Sequence, residues 1–196
     1  MEEISNTLFS ELNNAIQILE VAKNFKHIII PEYDCSRLPE IGTNGKNLPE
    51  NLKHEFFSHL HQFDQVDGNI NDFPCIYAFE LIDILDGDRV LQAFTQVDKV
   101  LIQRTIPALK SQPPKDSKYL YLGKVETAVG NRLVTHLGYY VQPGNHGLQL
   151  AYWMKDILPA IKIRVHIFRF EKKFKPYLTA FEVIMAKELK PIIGKH

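Results

Sequence analysis

Apolar positions along this chain follow two rhythms, and the switch between them marks its organisation. Over residues 5–25, Leu8, Leu12, Ile16 and Leu19 recur at helical spacing, with Asn6 or Thr7 placed to cap the first turn. His27-Ile28-Ile29-Ile30-Pro31 is a short apolar run closed by proline, which predicts a strand. Pro39, Gly42, Asn44 and Gly45 predict loop across 33–48. A helix is expected from about 49 to 62, then a polar connector over 63–74.

The second rhythm begins at Pro74. Residues 75–84 are rich in strand formers, and Asp86-Gly87-Asp88 reads as a turn. From 89 to about 109, Val90, Ala93, Phe94, Val97 and Leu101 share one helical face. A loop around Pro113-Pro114 follows, then a strand at 118–123 and a helix at 127–137. Residues 148–158 read as a helix stopped by Pro159, 161–170 alternate as a strand, and 177–193 close as a helix whose regular part Pro191 should end. This pattern predicts an α+β chain. Its core is a three-stranded, mainly antiparallel sheet flanked by helices over 74–196, with a helical insertion at about 84–117 between the first two strands. An α-rich lobe occupies 1–73.

Composition narrows the class. With 196 residues, 45% of them hydrophobic, the chain can bury a substantial core. No apolar run approaches the roughly 18–20 residues a spanning helix needs, so no membrane association is expected. The acidic start Met1-Glu2-Glu3 lacks the apolar segment of a secretory signal. Cys35 and Cys75 are the two cysteines, too few for a disulfide framework, so reduced thiols and a cytoplasmic location are expected. Net charge is zero but unevenly spread. Residues 118–196 hold 13 Lys and Arg against 5 Asp and Glu; residues 1–117 hold 10 against 18, so the halves carry +8 and −8. Such asymmetry fits polyanion contact, and equally a solvated basic surface beside an acidic lobe.

Five side chains stand out for chemistry. Glu182 falls inside the apolar arc of Leu178, Phe181, Met185 and Leu189, so its carboxylate faces the protein body and must be paired, metal-bound or protonated. A structural ion pair to Arg132 or another arginine would satisfy it equally well. Arg132 and His136 are four apart on one helix face, which an ordinary amphipathic surface would also give. Tyr121 precedes Gly123 by two, so both point to one side of their strand. Tyr77 has a plain alternative as a core aromatic with its hydroxyl at the rim.

Taken in order, Cys75-Ile76-Tyr77, Tyr121-Leu122-Gly123, Arg132 within Gly130-Asn131-Arg132-Leu133, His136, and Glu182 nine residues before Pro191 resemble the GIY-YIG nuclease superfamily over residues 74–196. Three departures stand out: Cys75 replaces the usual glycine, Gly194 stands where an asparagine is frequent, and about 43 residues (78–120) separate strand motifs that the family joins by a short hairpin. The resemblance implies a metal-dependent endonuclease that hydrolyses DNA, of restriction or foreign-DNA-defence type. It implies catalytic roles for Tyr77, Tyr121, Arg132, His136 and Glu182, with Glu182 holding one Mg²⁺ or Mn²⁺. Arg132 would grip phosphate oxygens, the tyrosines would orient or deprotonate water, and His136 would orient a tyrosine or contact the phosphate. An unperturbed phenol has a pKa of about 10, so a tyrosine base at pH 7 needs a downward shift of roughly three units; activity would then rise from about pH 7 toward 9.

Lys124 would be a further phosphate contact or an electrostatic aid, and Lys172, Lys173 and Lys175 form a tip that would either clamp a DNA backbone or remain solvated. His54, His59 and His61 match no standard zinc spacing, Gly144-Asn145-His146-Gly147 is too short to cradle phosphate, and Tyr152 and Trp153 fit a core better than a stacking platform. A non-catalytic nucleic-acid binder on the same fold, or a protein-interaction domain, remain alternatives. Cutting both strands of a palindrome would favour a two-fold homodimer.

Overall fold

Strands at Lys26–Asp34 (β1), Cys75–Leu81 (β2), Tyr119–Val125 (β3) and Lys162–Arg169 (β4) form one antiparallel sheet in the spatial order β1–β4–β2–β3 in a computed structural model of the protein. Helices Glu50–Asp67 (α1), Asp86–Thr95 (α2), Val129–Leu137 (α3) and Leu178–Leu189 (α4) accompany it. The described residues are 24–39, 50–83, 85–97, 106–110, 112–114, 116–139, 146–157 and 159–194, with Gln17 and Glu20. Most of the helix expected over 5–25, the second half of the inserted helix around Leu101, and Gly144-Asn145 lie outside them.

The mixed α+β class is as expected, but the sheet has four strands rather than three. The additional strand is β1, which pairs along β4 from Lys26 opposite Arg169 to Asp34 opposite Lys162. Pro31 does not end it. The register slips between Ile30 and Tyr33, and this irregularity on an edge strand tolerates a residue with no N–H to donate. The long excursion between the first two motif strands does not separate them: β2 and β3 pair directly, with Tyr77 opposite Gly123. Loop-closure entropy grows only slowly with length, so strand pairing survives the insertion.

Three helical expectations need correction. Asp86-Gly87-Asp88 is the first turn of α2 rather than a separate turn, with both acids at the positive end of the helix dipole. By Ile106–Lys110 the chain is no longer helical, and Leu109 bridges to Ile193. Over 148–158 there is a single 3-10 turn, Leu150–Tyr152, instead of an α-helix. Gln149 is left-handed (φ 58°), and the Leu148 carbonyl accepts from the Trp153 indole N–H at 2.8 Å instead of from a helical backbone N–H. Burial of Leu148, Leu150, Trp153 and Met154 outweighs the helical spacing there.

Both sheet faces are used. Tyr77 and Phe79, with Ile163, Val165, Ile28 and Ile30, share one buried cluster with residues of α1 and α3. On the opposite face Ile76, Ala78 and Leu122 meet Leu178, Phe181 and Ala186 of α4. Lys190 is left-handed (φ 49°) and Pro191 forbids further helix, so α4 stops there. The tail turns back to the β3 edge, with Ile192 N–H on the Tyr119 carbonyl and Ile193 N–H on the Leu120 carbonyl, both 2.9 Å. Among the described residues no helix is long and apolar enough to cross a membrane. Cys35 and Cys75 are free thiols, both buried.

Glu80 fastens this sheet electrostatically. It is buried, and accepts from Lys118 at 2.8 Å, Arg164 at 3.1 Å and His166 at 2.8 Å. His166 in turn pairs with His27 of β1 at 3.0 Å, so one carboxylate links three strands. Burial alone would raise the Glu80 pKa, but hydrogen bonds from Lys118 and His166 and their charges win, holding it at about 2 against an ordinary 4.5. A carboxyl held low stabilises the fold above its unfolded pKa and loses that contribution as pH falls through the folded value. Glu80→Gln is therefore expected to be less stable than the parent at pH 6, with the gap closing between about 4.5 and 2. Urea midpoints across that range measure it; a gap independent of pH would show that Glu80 acts by packing alone.

Candidate active site

The site starts from a strand pair that only a glycine permits. Tyr77 on the central strand β2 and Gly123 on β3 face each other across the ladder. A Cβ at Gly123 would lie 2.6 Å from the Tyr77 hydroxyl oxygen and 2.7 Å from the Tyr121 ring, both closer than real Cβ contacts. The missing side chain is the space the Tyr77 hydroxyl occupies. Tyr121, two residues earlier, lies beside it with ring centroids 6.3 Å apart and planes 29° apart.

Helix α3 brings Arg132 and His136 over the same face. Its start is unusual: Ala128 is left-handed (φ 58°) and α3 has no N-cap side chain of its own. Asn71, far away in sequence, supplies the cap. Its carbonyl accepts from Ala128 N–H at 2.7 Å and its side chain accepts from Gly130 N–H at 2.9 Å. Sequence reasoning missed Asn71, because a cap donated from another segment leaves no local S/T/D/N-before-helix pattern.

Two groups now meet at the Tyr77 oxygen. Arg132 Nε–H donates to it at 3.1 Å, and His136 Nε2 lies 2.9 Å away. The other imidazole nitrogen, Nδ1, accepts from Leu148 N–H at 3.1 Å. Arg132 also donates through Nη2 to the His146 carbonyl at 2.7 Å, and its charge acts on Tyr121. The segment His146-Gly147-Leu148, whose first two residues end the run judged from sequence too short to cradle phosphate, thus touches both helical site residues. It packs tightly, since a Cβ at Gly147 would come 2.5 Å from the Thr135 carbonyl oxygen.

Glu182 is buried on α4, as its place in the apolar arc implied. It pairs with Lys124 at 3.8 Å. The Lys124 ammonium also bonds the Thr179 hydroxyl. Glu182 is close enough to Tyr77 and Tyr121 for its charge to raise both phenol pKa values. Among the described residues no three His, Cys, Asp or Glu side chains form a metal-ligand group. Glu182 is the carboxylate of this site that could hold a hard cation. The lysine tip is a 3-10 turn in which Lys173 pairs with Glu171 and Lys175 with Glu126, both at 2.8 Å, while Lys172 lies over the Phe73 ring. Exposed pairs of this kind are weak.

Burial dominates the electrostatics. It pushes the Tyr77 phenol well above its ordinary value, with Tyr121 and Glu182 adding to the rise and Arg132 opposing it. Tyr121 is raised for the same first reason, against the charge of Arg132. His136 is fully buried beside the Arg132 cation, and burial first, then that charge, hold it neutral far below its usual range. No protein-family model matches this chain, and no curated protein or solved structure is significantly similar to it.

Two substitutions test this construction. Gly123→Ala is expected to cost about 1–3 kcal/mol, the range for an overpacked methyl, because the backbone or the Tyr77 ring must move. Asn71→Ala is expected to cost about 1 kcal/mol by removing the borrowed cap. Denaturant unfolding measures both; an unchanged Gly123→Ala midpoint would mean that the strand pair has slack.

Proposed function

We propose that the protein is a metal-dependent hydrolase of DNA phosphodiesters, built on the plan of the GIY-YIG nucleases. One observation carries this reading: Tyr77, Arg132 and His136 join in one hydrogen-bonded group, the Tyr121 ring lies against Tyr77 and His136, and the Glu182 charge acts on both phenols. The pattern that suggested the family was a linear order of residues; their convergence is an independent support.

In this reading Arg132 holds the non-bridging oxygens, since its planar fork, already anchored at Tyr77 and the His146 carbonyl, presents further N–H groups in a fixed orientation. Tyr121 orients the attacking water. Lys124, paired with Glu182, adds positive charge beside the site. Glu182 would hold a divalent cation, which would supply charge stabilisation at the leaving oxygen. The +8 half of the chain supplies salt-sensitive attraction to the polyanion. Restriction or defence against foreign DNA is the setting we favour. A second reading, a binding module without catalysis, draws on the complete burial of Tyr77 and the occupation of Glu182 by Lys124.

Supercoiled circular DNA distinguishes the two. Incubation with Mg²⁺ is expected to give nicked and linear forms, lost with EDTA. Glu182→Ala and Arg132→Ala should each slow nicking by at least about 10²-fold, the scale for losing a charge stabiliser. Salt-dependent binding with no nicking under any divalent cation would favour the module.

A further inference from the structure

We propose that the backbone of His146 and Leu148 is a strap that positions the site, and that it makes Tyr121, rather than Tyr77, the phenol turned toward a ligand. The argument counts protons. A backbone N–H can only donate, so the Leu148 N–H on Nδ1 requires a bare lone pair there. A neutral imidazole then carries its proton on Nε2. That Nε2–H points at the Tyr77 oxygen, 2.9 Å away. The Arg132 Nε–H, which is always a donor, reaches the same oxygen at 3.1 Å. The Tyr77 oxygen therefore accepts twice, and its own hydrogen must leave in a third direction. The Tyr121 ring lies alongside, its centroid 6.3 Å from that of Tyr77.

Polarity thus runs one way, from Leu148 N–H through His136 to the Tyr77 oxygen. Tyr77 is 0% exposed and its oxygen is committed, so it serves as a positioning residue. Tyr121 is half-buried on the outer strand β3, with solvent access that Tyr77 lacks. The other end of the strap, the His146 carbonyl, holds Arg132 by Nη2 at 2.7 Å and fixes the plane of its fork. Gly147 lies between these two contacts and seats the strap on α3: a methyl there would meet the Thr135 carbonyl at 2.5 Å. The assignment of Tyr121 as the reacting phenol rests on the hydrolase reading; the strap and the proton order do not.

Nitrogen NMR of the full ¹⁵N-labelled chain, without DNA or metal, tests the strap directly. His136 is expected to show a protonated Nε2 and an unprotonated, acceptor-type Nδ1, unchanged from about pH 6 to 8, across the range where free histidine titrates. A proton on Nδ1, or titration within that range, overturns the proposal. Gly147→Ala is expected to replace this signature by an averaged one and to lower the nicking kcat about tenfold with little change in KM. Leu137→Ala, a core truncation on the same helix, should keep the His136 signature despite lost stability; if it erases the signature too, the strap has no specific role. Tyr121→Phe should retain the signature and lose nicking by about 10²-fold or more. Nicking that survives Tyr121→Phe but not Tyr77→Phe overturns the division of labour. A parent protein with the expected spectra and no nicking rejects the hydrolase reading while leaving the strap standing.

Discussion

The hydroxyl of Tyr77 rests against the backbone of Gly123, and the rest of the candidate site depends on that approach. A side chain at 123 would push Tyr77 off its two donors. Without the Tyr77 oxygen, both Arg132 Nε–H and His136 Nε2 lose the acceptor that orients them in a buried setting, where an unpaired donor costs about 1–3 kcal/mol. The sheet secures the approach by placing β2 and β3 side by side, and α3 secures the partners. Asn71 matters because it holds the first turn of α3, where a left-handed Ala128 would otherwise leave the helix start without support.

Burial that makes this arrangement rigid also sets its proton chemistry. A tyrosine acting as base near neutrality would need its pKa lowered by about three units. The structure moves both phenols the other way, because desolvation outweighs the nearby Arg132 cation. In the protein by itself the phenols are therefore hydrogen-bonding groups, and water orientation is the role their protonation state supports. A fixed set of donors and acceptors costs no reorganisation during reaction, which is where preorganised sites gain most.

Much of the site was legible in the sequence because its residues sit on periodic elements. The spacing of Arg132 and His136, of Tyr121 and Gly123, and of Glu182 within its apolar arc each fixed a face, and those faces are the ones observed buried or in contact. What escaped was set by tertiary contact. The strand at Ile28 and Ile30 was legible, but not that it would extend the same sheet, since pairing partners leave no mark in a local pattern. Helical spacing at 148–158 was overridden by an indole capturing the Leu148 carbonyl. The contributions of Asn71, His146 and Leu148 come through backbone groups or a distant cap, which no residue-type pattern encodes. The ion pair of Glu182 with Lys124 follows from α4 lying across β3, a packing choice rather than a spacing.

The reading of Glu182 as the cation's anchor bears most heavily on function, because Lys124 now holds that carboxylate and would have to give way. Anomalous diffraction from crystals grown with Mn²⁺ and a short DNA duplex addresses it directly. A peak about 2.1 Å from a Glu182 carboxylate oxygen, with a phosphate bridging it to Arg132 and Lys124 swung aside, is the predicted result. Manganese found elsewhere, with Glu182 still closed on Lys124 and the phosphate remote from Arg132, would contradict it.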